Sequence, residues 1–443
     1  MASMAVVDVA DIIERQRGGA FLFRLVALSW IITFFDGYDM NAIAFAAPYL
    51  EQAFTLDKMQ LGELFSLGVV GALIGGFGFG WLGDRIGRRP AILIAVALFG
   101  VGTCLFALAY DFRSLMVLRL VNGITIGGLL PLIWALNIEF VPKRFRATVV
   151  TVIMIGYSAG AATAGPIAVW LAPRFDWPAI FYFGGAASLF SGLLLWLFLP
   201  ESPRFLTQKG RDPARIARLL GRLGHPSPAG ANARFILGDE PEIKTKGFRV
   251  SSLFKGELLW ITPLLWIAYT ASSLAIYFLA SWGPLVFENL GFTRSAAALA
   301  ASVGSIAGAV GGLLLMRFTD RFGAISIIAM PIAALPLLLV MGLVDLPFTV
   351  FMGIFIAVML FLGGQHFGMH SIAGIFYPSA LRANGAGWAT SIAKAGAMAG
   401  PLLGGVFLGA GHPVREVFLV LALCPAVLAV AIYGIGRVHR QMI

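Results

Sequence analysis

"GFGFGWLGDRIGRRP", residues 76–90, closes one apolar run, turns through a short charged loop and opens another. Its centre, GDRIG around Asp84, returns as TDRFG around Asp320, 236 residues later. FVPKRFRA around Pro142 returns as FYPSALRA around Pro378 at the same offset, and AGPI at 164–167 returns as AGPL at 399–402 with one residue less. Chance matches of four residues are common in apolar chains, but a shared offset is not. The chain therefore reads as two copies of one unit.

Around these loops the sequence is built for lipid. Of its 443 residues 59% are hydrophobic and only 12% charged, with a mean hydropathy of +0.88; a water-soluble domain carries about 25% charged residues. Twelve apolar runs are each long enough to cross a bilayer as a helix, near 24–50, 60–82, 90–110, 114–140, 147–172, 178–199, 258–287, 296–318, 325–344, 348–376, 384–410 and 414–436. The expected fold class is an all-α membrane protein with twelve transmembrane helices in two pseudo-symmetric six-helix halves. The expected segments are an N-terminal stretch 1–23, a first bundle 24–199, a central loop 200–257, a second bundle 258–436 and a tail 437–443. Parallel repeats of this kind place a substrate site between the halves, near the midplane.

The net charge of +10 follows topology rather than nucleic acid. With the N-terminus inside, 25 of the 32 Lys and Arg fall in cytoplasmic segments and five in outer loops. Both termini are then cytoplasmic. Residues 1–22 carry Asp8, Asp11 and Glu14 and no apolar core, so no cleavable signal peptide is expected. Cys104 and Cys424 lie in distant apolar spans and read as two buried thiols. The absence of an Asn-x-Ser/Thr sequon fits a prokaryotic inner membrane.

Gly80-x-x-x-Asp84-Arg85-x-Gly87-Arg88-Arg89 resembles the loop between helices 2 and 3 of the major facilitator superfamily. The resemblance implies that fold, and a conformational latch formed by Gly80, Asp84, Arg85, Gly87 and Arg88. Glu139 and Arg146 are expected beside it, with Glu139 pairing with Lys143, Arg144 or Arg146. The second copy, Asp320 and Arg321, lacks the leading glycine and the later basic pair, so it is expected to do less. PESPRFL, 200–206, resembles the tail of the first half in the sugar and organic-acid branches. ARIARLLGRLG beyond it has helical spacing with a basic face and is expected to lie along the membrane surface or simply to present that face to water.

Charges inside the spans carry the functional information, because a charged side chain at the bilayer centre costs roughly 2.5–3.5 kcal/mol even on the lenient insertion scale. Asp36 and Asp39 in span 1 share a helix face at i, i+3 and cannot both ionise cheaply, which makes them candidate proton carriers. Arg119 sits about 8 Å into span 4 from its outer end and Lys394 near the middle of span 11; both are candidates to hold a substrate carboxylate. His366 and His370 have the i, i+4 spacing of metal ligands but no third ligand nearby, so no metal is expected. With Gln365 they read as a polar lining. Tyr38, Tyr157, Tyr269 and Trp388 lie near mid-depth where a ring could stack, and Ser272 and Ser273 could bond a ring hydroxyl.

DGYD with the following Ala47-Pro48, RLVNGITIGGLLP (119–131) and GWATSIAKAGAMAGPLLGG (387–405) resemble the aromatic acid:proton symporter family. That resemblance implies import of a benzoate- or hydroxybenzoate-like anion with protons by alternating access. The implied partners are a small organic anion, protons and the bilayer, acting on a monomer with no cofactor. Relatives often carry arginine at the Lys394 position, and lysine supplies a point charge instead of a fork. Import of sugar acids or aliphatic carboxylates is the alternative. A drug exporter is disfavoured because G-P-x-x-G-G, expected in span 5, reads GPIAVW there and appears intact as GPLLGG in span 11. No nucleophile–base or metal-ligand constellation points to an enzyme.

Overall fold

The computed structural model describes residues 6–16, 18–224, 233–239, 250–322, 325–377 and 381–440. A short strand β1 (Val6–Asp8) and helix α1 (Val9–Arg15) lead into six long helices: α2 (Ala20–Phe54), α3 (Lys58–Ile86), α4 (Arg88–Phe106), α5 (Phe112–Phe140), α6 (Arg146–Phe175) and α7 (Pro178–Phe198). The central loop contributes α8 (Pro203–Gln208), α9 (Pro213–Arg222) and β2 (Arg234–Ile236). Six more follow: α10 (Leu258–Asn289), α11 (Arg294–Phe322), α12 (Ile325–Leu343), α13 (Phe348–Phe376), α14 (Arg382–Gly409) and α15 (Glu416–Arg440). Over the described residues eleven of the twelve long helices are long and apolar enough to cross a bilayer, and α12 supplies a shorter apolar one. The protein is an all-α membrane protein of twelve spans in two six-helix halves.

Local chemistry sets where the helices begin. Asp57 and Gln60 close a capping box at the start of α3, and Asp111 and Ser114 do the same for α5. Pro178 stands in the first turn of α7, where its missing N–H is not needed. Gly87 turns the chain from α3 into α4 at φ +112°, a conformation few side chains adopt.

The halves repeat one packing scheme. In the first, α2 packs on α6, α3 on α5 and α4 on α7; in the second, α10 packs on α14, α11 on α13 and α12 on α15. Small residues let the backbones approach. A side chain at Gly160 would strike the Phe34 carbonyl, and one at Gly396, 236 residues on, would strike the Thr270 carbonyl. The halves meet through α3–α14, α6–α11 and α2–α10. Ser66 Oγ donates to the Met398 carbonyl at 2.9 Å, and the Phe65 ring stands edge-on to Trp282 at 5.4 Å.

The basic helix of the central loop is covered by protein rather than lipid. Ile216, Leu219 and Leu220 of α9 are buried against Val9 and Ile13 of α1 and Phe205 and Leu206 of α8. β1 pairs in parallel with β2, Val6 opposite Arg234. This cap is tied to the first half: the Gln16 amide donates to the Phe140 carbonyl, and the Lys143 N–H to Glu14 Oε2 at 3.0 Å. Glu201 accepts from the backbone N–H of Arg88 and Arg89 at 3.0 and 3.2 Å. Residues 250–254 instead pack on the second half, with Thr262 Oγ1 donating to the Leu253 carbonyl at 2.6 Å. The loop is thus shared between the halves.

Asp239 fastens the cap, accepting both terminal nitrogens of Arg204 at 2.7 and 3.2 Å. Those hydrogen bonds, with the Arg204 and Lys143 charges, hold its carboxyl below the usual carboxylate range. A lowered value stabilises the docked state above the unfolded pKa of about 3.9 and loses that contribution as pH falls through the folded value. Proteolysis within 200–239 should therefore accelerate below about pH 4, and Asp239→Asn should already show the faster cleavage at neutral pH.

Candidate functional site

A cavity of about 330 Å³ lies between the halves. The first half gives it a largely apolar wall, including Ile43, Phe45, Phe65 and Val69; the second gives hydroxyls from Ser272, Ser273, Tyr277, Ser281, Ser305 and Thr390. Seven of the expected site residues line it: Arg119, Tyr157, Tyr269, Ser272, Ser273, His366 and Lys394. They come from α5, α6, α10, α13 and α14. Ser272 Oγ and His366 Nδ1 lie 3.0 Å apart, and the Tyr269 hydroxyl donates to the Met369 carbonyl.

The two cations are held differently. Arg119 is buried with its guanidinium against Gly68 of α3, where any side chain would collide with it. Lys394 is half-buried on α14, two residues before Gly396 brings that helix onto α10. Neither forms an ion pair within 4 Å among the described residues, and Arg119 Nε has no hydrogen-bond partner there.

The acids stand behind the wall. Asp36 and Asp39 are 0% and 1% exposed and do not line the cavity. Asp39 Oδ2 accepts from Asn122 at 3.2 Å, and the Asn122 amide also donates to Thr103 Oγ1 at 3.1 Å. Neither oxygen of Asp36 has a described hydrogen-bond partner. The charges that act on Asp36 are those of Asp39 and Lys394, and Arg119 acts on Asp39. Gly37, between the acids, lets the Tyr157 backbone come against α2, and Tyr157 also lines the cavity.

Three expected contacts lie elsewhere. Tyr38 turns away from the cavity, its hydroxyl donating to the Ile180 carbonyl at 3.0 Å and its ring edge-on to Phe183. Trp388 stacks on Trp266 at 6.1 Å with a 20° interplanar angle. Gln365 is buried outside the cavity lining. Among the described residues, the contacts of the latch residues lie within the first half. Arg88 bridges Asp84 at 2.5 Å and Glu139 at 3.0 Å, so Glu139 pairs across to α4 instead of with its neighbours. Arg85 lies over the Trp81 ring, Arg146 Nε donates to the Val141 carbonyl, and Gly80 faces open space. The side chains of Asp320, Arg321 and His370 lie outside the described residues.

Among the described residues, a charged contact between the halves lies at the opposite face. There the Arg294 guanidinium of α11 sits 4.4 Å above the Tyr49 ring of α2, and bonds Glu288 at 3.2 Å. Lys58 pairs with Glu51 at 2.5 Å, and its carbonyl is pressed on Gly405 of α14. The sequence reading missed these five side chains. The signal was there: Lys58 and Arg294 are two of only five cations in the outer loops. It missed Asn122 and Thr103 as well, although a buried amide three residues after Arg119 is itself a costly choice.

The profile of the Major Facilitator Superfamily matches residues 29–380. The chain belongs to that superfamily. It is 32% identical to a gallate transporter of Pseudomonas putida over 438 residues, covering 99% of this chain and 97% of that one. It is 31% identical to the 4-hydroxybenzoate transporter PcaK of Acinetobacter baylyi, covering 96% and 94%. To a 3-(3-hydroxy-phenyl)propionate transporter of Escherichia coli it is 32% identical, covering 88% of each. Among solved structures, the xylose transporter XylE from E. coli superposes with a TM-score of 0.72 at 16% identity, covering 93% of this chain and 97% of that one. That likeness concerns the fold alone. The protein is a transporter, not an enzyme.

The Tyr49–Arg294 contact is the charged link between halves most open to test. Arg294→Ala should shift the population toward opening at the Lys58 face, read as faster thiol labelling of a cysteine placed at Ser281 in a background lacking Cys104 and Cys424. Unchanged labelling would remove Arg294 from the gate.

Proposed function

We propose that the protein imports an aromatic carboxylate together with protons by alternating access. The observation that carries this reading is the pairing of two cations lining the cavity, neither engaged in an ion pair, with two carboxyl groups sealed behind them. An anion can enter and meet Arg119 and Lys394, while Asp36 and Asp39 take or release protons out of its reach. Protonating an acid removes the charge that compensated a cation, which then attracts the cargo carboxylate. The loaded cavity is better compensated than a half-loaded one and is cheaper to occlude.

The apolar wall favours a ring. A sugar acid would set unpaired hydroxyls against Phe45, Phe65 and Val69, which is costly away from water. Ser272 with His366, and Ser273, suit ring hydroxyls on the other side. The relatives named for gallate, 4-hydroxybenzoate and hydroxyphenylpropionate support the same class. The protein acts as a monomer in the inner membrane, with both termini and the Asp84 face cytoplasmic. In this reading the Asp84–Arg88–Glu139 cluster engages the second half when the protein turns outward.

In proteoliposomes each pH unit across the membrane supplies about 1.4 kcal/mol, a tenfold accumulation per symported proton for an electroneutral step. Asp36→Asn should lose accumulation driven by an inward proton gradient yet keep exchange of labelled for unlabelled 4-hydroxybenzoate. Concentrative uptake by that variant would refute the proton assignment. Lys394→Gln should raise the half-saturating substrate concentration by about tenfold or more, the loss of one charge-assisted contact.

A further inference from the structure

We propose that the cavity seats two carboxylates at once, so that aromatic dicarboxylates are a cargo class of this transporter. The inference rests on the carrier reading above and extends it. One carboxylate needs one cation, and this cavity has two. Arg119 comes from the first half and Lys394 from the second, and both line the same chamber. Neither is answered by an ion pair among the described residues, and no Asp or Glu among those residues lines the cavity. Arg119 is only 3% exposed, and its Nε has no described hydrogen-bond partner. A cation so deeply buried without a direct counter-charge is expensive.

The groups behind the wall fit the same count. Arg119 is the cation that acts on Asp39, and Lys394 the one that acts on Asp36. The other titratable neighbours of this set are Tyr38 and Cys104 near Asp39, and Tyr157, which has Asp36, Arg119 and Tyr277 as its own neighbours. All of these are neutral in their ordinary protonated forms. His366, bonded to Ser272, completes the lining. Each buried acid thus has one of the two cavity cations as the positive charge acting on it. Each acid that takes up a proton leaves one cation to be answered by one cargo carboxylate. A dianion with two protons fills both seats and moves no net charge. Because its two ends would hold opposite halves, it would also favour their closure. A monocarboxylate fills one seat.

The test uses the full chain in proteoliposomes at pH 7 with benzoate, 4-hydroxybenzoate and benzene-1,4-dicarboxylate as probes. The dicarboxylate should compete for labelled 4-hydroxybenzoate uptake about tenfold better than benzoate does, and should itself accumulate under a proton gradient regardless of membrane potential. In Arg119→Gln and in Lys394→Gln the advantage of dicarboxylate over benzoate should fall toward unity, with binding measured in detergent on protein shown to be monodisperse. Uptake of 4-hydroxybenzoate with no competition from the dicarboxylate overturns the second seat and leaves the carrier reading intact. An advantage that survives both substitutions also overturns it. Failure of all three probes overturns both.

Discussion

Charge in a membrane interior must be compensated or absent, and that constraint organises this molecule. Two carboxyls and Arg119 are buried and Lys394 is half-buried, yet none is joined to another by a direct ion pair among the described residues. A tight salt bridge would neutralise them permanently and leave nothing to bind a cargo. Free charges would cost more than the fold can supply. The arrangement lies between these limits: the cations line the cavity, and the buried acids do not. Asn122 and Thr103 support Asp39 by hydrogen bonds that leave its charge unneutralised.

The repeat shows how such a site arises on a symmetric scaffold. At several close backbone contacts the halves agree at the offset of 236: Gly75 with Gly311, Gly127 with Gly363 and Gly160 with Gly396. Where the cavity needs chemistry, they differ. Asp36 corresponds to Ser272, Arg119 to Phe355, and Ser158 to Lys394. Packing fixes the glycines because a single Cβ would push two helices apart. No comparable constraint fixes a cavity-facing side chain, so each half is free to carry different charges.

Much of this was legible from composition and spacing, because hydrophobic length is a direct readout of bilayer thickness. The offset placed the halves, and the cost of intramembrane charge singled out Arg119 and Lys394, both of which line the cavity. The direction a side chain faces was harder. α2 is apolar on every side, so nothing in its sequence says that Tyr38 turns toward α7. Trp388 finds Trp266, 122 residues away in sequence, and no local pattern predicts that partner. What covers the apolar face of α9 was hidden for the same reason. An amphipathic helix looks identical whether lipid or protein covers it, and the strand that pairs with β2 begins at Val6, 228 residues earlier.

The two ends of the molecule also differ in the kind of contact they make, and the difference bears on how it can switch. At the Lys58 face the charged links that accompany helix contact are partly exposed: a cation over a tyrosine ring, and ion pairs near water. Such links are worth about 0.5–1 kcal/mol each. Within each half the contacts are close helix seams lined by glycine, and disturbing them would open cavities or force steric collisions. Of these three links the cation over the ring crosses between the halves, and each ion pair lies within one half. The first half carries α1, α8 and α9 with it as one body, so the charged cluster of Asp84, Arg88 and Glu139 is presented on a preassembled surface. Closing that face then requires docking the second half, not building the latch.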